Sequence, residues 1–73
     1  MSAILHNNIR RLRFELGMTQ EELALRVGVS RQTIMSIERS ATNPSVVLAF
    51  NISRALNVPV TEAFQVEGGL VPV

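Results

Sequence analysis

A chain of 73 residues, 47% hydrophobic and without cysteine, reads as one small domain, excludes disulfides and thiolate metal sites, and suits a reducing cytoplasm. Its net charge is only +1, from seven basic residues that are all arginine and six acids that are all glutamate, which excludes a generic basic coat for nucleic acid. No apolar run approaches the ~20 residues of a membrane span, and the stretch 1–6 lacks the length and basic start of a signal peptide.

Residues 3–6 are strand-like. After Asn7-Asn8, the apolar residues Ile9, Leu12 and Leu16 recur at helical spacing and predict a first helix over about 7–16. Gly17 fits a left-handed cap at its end. The run Thr19-Gln20-Glu21-Glu22 has the form of a capping box, with Thr19 as N-cap and Glu22 three residues on. It opens a second helix that reaches Val27 and buries Leu23, Ala24 and Val27. Gly28 permits the positive φ of a sharp turn, and Ser30 caps a third helix over about 31–38, with Ile34 and Ile37 inward.

Pro44 disfavours helix at Asn43, so 39–44 is a loop. Ser45 caps a fourth helix whose Val46, Leu48, Ala49, Ile52, Ala55 and Leu56 carry the apolar stripe to Asn57. A short fifth helix falls near 60–64. The tail 65–73 is non-helical, broken by Gly68-Gly69, and its extended part can pair with residues 3–6 as a small antiparallel sheet. The architecture expected is all-α, five helices in one domain over 1–73, with a helix-turn-helix at 19–39.

Counted from Gln20, small Ala24 stands fifth, where two helices touch, and Gly28 ninth, in the turn. Leu23, Val27, Val29, Ile34 and Ile37 fill the remaining inward places. A generic helical hairpin would also use a glycine turn, but it leaves the polar set on the third helix unexplained. Arg31, Gln32, Thr33 and Ser36 lie on that helix's outer face. Arginine matches guanine O6 and N7, glutamine matches adenine N6 and N7, and hydroxyls serve either base or phosphate. The plain alternative for these four is a solvated surface. Gln20 opens the second helix, whose N-terminus favours a phosphate. Ser30 joins the set at the turn, and Arg39 and Asn43 are placed to hold the DNA backbone across the groove.

Together, Thr19-Gln20-Glu21-Glu22-Leu23-Ala24, Gly28-Val29-Ser30-Arg31-Gln32-Thr33-Ile34, Ile37-Glu38-Arg39 and Asn43-Pro44-Ser45 resemble the Cro/C1-type (Xre-like) repressor domain over about 7–64. In length and at both ends the chain looks most like the small cytolysin-repressor type of homodimer. The resemblance implies a lambda-repressor-like fold with five helices, a small sheet joining the termini, and dimerisation through the fifth-helix region. It also implies a buried ion pair between the first and third helices, which falls here on Arg13 and Glu38. The chain departs from the pattern at Ser40-Ala41, where Gly-Lys is common, and at Leu25, where a charged residue is common.

The residues assemble no set for other chemistry. His6 has no Cys, Asp or second His with which to hold a metal, and the chain has no Asp for a catalytic triad. Glu21 and Glu22 are explained by the helix N-terminus, since neighbouring helical residues point about 100° apart. Met18 and Met35 read as packing residues, and Phe50 and Phe64 as core or dimer contacts. The reading is therefore a non-enzymatic transcriptional regulator, a repressor binding double-stranded DNA as a homodimer on a palindromic operator. It needs no cofactor or metal, shows no small-molecule effector pocket, and belongs in the cytoplasm. Two alternatives keep the same fold: an antitoxin that also binds a toxin through Leu25 or the apolar tail, and a protein-interaction module without DNA binding.

Overall fold

The structure, a computed structural model, describes residues 3–71; the expectations that touched residues 1, 2, 72 and 73 lie outside it. The order of elements is β1 (Ala3–Asn7), α1 (Ile9–Leu16), α2 (Gln20–Val27), α3 (Arg31–Glu38), α4 (Val46–Ala55), α5 (Val60–Ala63) and β2 (Phe64–Gly68). β1 and β2 pair antiparallel, with Leu5 opposite Val66 and Asn7 opposite Phe64. The five helices and the small sheet are those the sequence suggests.

α2, α3 and α4 each start at a residue whose side chain caps them. Thr19 Oγ1 accepts the Glu22 N–H at 3.0 Å while Glu22 accepts the Thr19 N–H at 3.1 Å, so the capping box is complete. Ser30 and Ser45 accept from Thr33 and Leu48 in the same way, at 3.1 Å each. α2 ends on Gly28 at φ 74°, left-handed backbone that a side chain would strain. Ile9, Leu12, Met18, Leu23, Ala24, Ile34, Ile37, Ile52, Leu56, Ala63 and Phe64 form one core, with Val27 and Val29 half-buried against it.

Several boundaries and inward assignments differ from the periodic reading. Asn7 belongs to β1 rather than to the first helix, because its backbone pairs with Phe64. Its side chain accepts the Ile9 N–H at 3.2 Å and donates to the Ile37 carbonyl at 3.0 Å, stitching β1 to α1 and α3. Phe64 leaves the fifth helix and opens β2, with extended φ and ψ of −134° and 141°. Leu16, in the last turn of α1, and Val46, in the first turn of α4, are exposed, as is Phe50. Periodicity marks a stripe but not where its ends outrun the neighbouring element.

Candidate nucleic-acid interface

The α2–turn–α3 unit is fixed to the core from one side. On α3, Ile34 and Ile37 are buried, which turns the opposite face outward. There Gln32, Ser36 and Arg39 follow one another at i, i+4 and i+7, a single line along the helix. Gln32 and Arg39 are exposed and Ser36 is half-buried. Met18 joins the core, whereas Met35 stays half-buried outside it, three residues on from Gln32. Met35 therefore borders the outer line and is not the core residue its hydrophobicity suggests; the missed signal is its i+3 spacing from Gln32.

Arg31 stands at one flank of this face, exposed at the N-terminus of α3. Its Nε donates to Gln20 Oε1 at 3.3 Å. The Gln20 amide in turn donates to Glu38 Oε1 at 3.2 Å. Glu38 is held by Arg13, through Nε to Oε2 at 2.7 Å and Nη2 to Oε1 at 3.1 Å, and Arg13 Nη1 donates to the Met18 carbonyl at 3.0 Å. Four polar side chains from α1, α2 and α3 thus form one chain of hydrogen bonds ending at the surface.

Ser30 and Thr33 share a hydroxyl contact of 3.0 Å within the α3 cap, so both hydroxyls already have a local partner. Asn43 is exposed in the loop before α4, where its side chain meets no hydrogen-bond partner among the described residues. The Gln20 side chain bonds to Glu38 and Arg31. Glu22 keeps its carboxyl below the ordinary glutamate value of 4.5, chiefly because the Thr19 N–H and hydroxyl bond to its charged form, helped by Arg26. Among the described residues no group of three or more His, Cys, Asp or Glu could hold a metal ion, and no helix is long and apolar enough to cross a membrane.

A helix-turn-helix family profile matches residues 9–62. The chain belongs to the helix-turn-helix family of the Cro/C1 type. It is similar to a helix-turn-helix-type transcriptional regulator of Methanothermobacter thermautotrophicus, 60% identical over 48 residues that cover 66% of this chain and 70% of the relative. A second such regulator, from Archaeoglobus fulgidus, is 45% identical over 82% of this chain and 86% of its own. Among solved structures, this helix-turn-helix chain is similar to the restriction-modification controller protein C.AhdI from Aeromonas hydrophila, with a TM-score of 0.68 and 33% identity over 71% of this chain and 79% of that one. The biofilm master regulator SinR, solved in complex with DNA, gives a TM-score of 0.66 and 40% identity over 71% of this chain and 84% of its own. The fold is therefore the lambda-repressor-like arrangement of a transcriptional regulator with a helix-turn-helix DNA-binding domain.

Proposed function

We propose that this protein is a repressor that binds a palindromic operator as a homodimer, with α3 in the major groove. The observation that carries this reading is the outward line of Gln32 and Ser36 on α3, continued by Arg39 at its C-cap and flanked by Arg31, on a helix whose opposite face is anchored by Ile34 and Ile37. A rigid helix with polar ends aimed away from the core is what base-edge recognition requires. In this reading Arg31 and Gln32 meet bases, and Ser36 and Thr33 meet base or backbone. Ser30, Arg39 and Asn43 meet the flanking phosphates, and Gln20 sits beside Arg31.

Pairing is supported by charge and size together. A net charge of +1 leaves little sequence-independent attraction, and one short helix reaches few bases. Two copies double the base contacts and set half-sites about one helical turn apart. Exposed Val46, Phe50 and Val66 border an apolar groove with Leu5 and Phe64, which suits the pairing face. Bound at a promoter, such a dimer represses by excluding the polymerase. A second reading, contact with a toxin or other protein, is favoured by Leu25, 77% exposed on α2, and by the exposed Leu70 and Val71 of the tail.

Selection of sites from random double-stranded DNA tests the proposal. Recovery of an inverted repeat supports it, and absence of enrichment overturns it in favour of an interaction module. In the same experiment Gln32→Ala should relax one base position in each half-site by about 1–3 kcal/mol. Unchanged site preference in that variant removes Gln32 from the base-reading set.

A further inference from the structure

We propose that the groove between α2 and α4 is a docking site for an acidic segment of a partner protein, held by Arg26 and Arg54. Arg26 and Val27 from α2 line it together with Asn51, Arg54 and Ala55 from α4. Both arginines are exposed, while Val27, Asn51 and Ala55 are half-buried. Two guanidiniums on one groove repel each other, and no carboxylate lines it to offset them. The ion pairs among the described residues are His6–Glu67, Arg11–Glu15 and Arg13–Glu38, so Arg26 and Arg54 take part in none. Glu22, one turn before Arg26, attracts it, but its carboxylate is bonded back to the Thr19 N–H. A cation in the last turn suits each helix dipole. The dipole does not explain why both cations open onto one groove.

The surroundings select the occupant. On α4, Val47, Asn51 and Arg54 follow at i, i+4 and i+7, one line along the helix. Val47 is 70% exposed and takes no part in the apolar groove of Phe50 and Val66. The Asn51 carboxamide meets no hydrogen-bond partner among the described residues, and it can donate to a carboxylate or pair with a peptide group. A peptide lying along this line meets an apolar contact, then a carboxamide, then two guanidiniums, with Val27 and Ala55 beneath. Guanidinium and carboxylate match in charge and in their paired geometry. A small free anion fits less well, because the guanidiniums are exposed and no buried donor closes around it. Arg26 stands six residues after Gln20, about 9 Å along the α2 axis. The groove is therefore at the far end of α2 from Arg31, and its occupant leaves the outward face of α3 open. The inference stands whether or not α3 reads DNA.

The test selects short random peptides displayed on phage against the full chain, then measures them on an Arg26→Gln/Arg54→Gln double variant. The expected peptides carry two or more acidic residues beside an aliphatic one. Their affinity for the double variant should fall by about three- to twentyfold, since an exposed ion pair is worth a factor of up to about five. Val47→Ser, which keeps both charges, should weaken the same peptides. A charge-reversed Arg26→Glu/Arg54→Glu protein should reject them and bind versions with lysine in place of the acids. That reciprocity cannot come from a protein that has merely failed to fold. Absence of acidic peptides from the selection, or equal binding to the double variant, overturns the inference. So does preferential binding of inorganic phosphate or citrate at Arg26 and Arg54, which would make the groove a small-anion site. Binding of the double variant to double-stranded DNA should keep the wild-type salt dependence. A log–log slope lowered by about 0.9 for each arginine would assign both to DNA phosphates and overturn the inference as well.

Discussion

Arg13 carries a full charge into the protein, and the surroundings show why it is tolerated. Its guanidinium meets the Glu38 carboxylate through two nitrogens and the Met18 carbonyl through a third, and among the described residues no buried side-chain N or O lacks a partner. Removing one member leaves the other charged and dry, which costs far more than the pair contributes. Arg13→Ala should therefore lower stability by about 3–5 kcal/mol, read from thermal or urea unfolding; an unchanged melting temperature would refute the assignment. Replacing both partners, as Arg13→Met with Glu38→Leu, should regain most of that loss, because apolar pairs of similar volume can substitute for buried ions. Neither residue advertises the other in the sequence. They stand 25 positions apart, and only the family resemblance pointed to the pair. The link onward to Gln20 and Arg31 was not legible at all, since it depends on side-chain directions from three helices meeting at one place.

At the scale of elements, local chemistry was legible wherever it is local. Thr19 and Glu22 are three residues apart, Gly28 closes α2 and Ser30 opens α3, and each acts within one turn of its own position. Misreadings fell where a long-range partner decides. Asn7 looks like the start of a helix until Phe64, 57 positions away, takes it into a strand. The capping box makes a pH prediction. Glu22 has its carboxyl held low by the Thr19 N–H and hydroxyl, so its folded value lies below its unfolded one. The stabilisation is then fully present above the unfolded value, and it is lost as pH falls through the folded one. Unfolding free energy should decline on acidification below the ordinary glutamate value of 4.5. Glu22→Gln, which still offers Thr19 an acceptor but cannot titrate, should give a flatter profile there. Parallel profiles for the two proteins would show that the box carries no linkage.

At the scale of the whole molecule, the two ends of the chain build a feature that no single segment announces. A two-stranded sheet is marginal by itself, and here it is tied down by Asn8, whose N–H donates to the Ala63 carbonyl at 2.9 Å and whose side chain reaches Glu62 and Gln65. Beyond that tether, Leu5 and Val66 face each other across the strands and extend past the core towards Phe50 and Val46. The molecule is correspondingly elongated, 42 × 21 × 19 Å. Strand-like ends were legible from residue types, but the groove was not, because residues 5, 46, 50, 64 and 66 meet only once the strands have paired. Val46, Phe50 and Val66 are 74%, 51% and 68% exposed, and a contiguous apolar patch of this kind marks an interaction surface. If the proposed homodimer uses this face, Phe50→Glu or Val66→Glu places two carboxylates against each other across the twofold axis without touching the core. Light scattering at micromolar concentration should then report a dimer for the wild type and a monomer for either variant. Affinity for the full inverted repeat should fall to that for an isolated half-site, while the base preference set by Arg31 and Gln32 persists. A variant that remains dimeric and binds the full repeat as tightly as the wild type would place the pairing face elsewhere on the molecule.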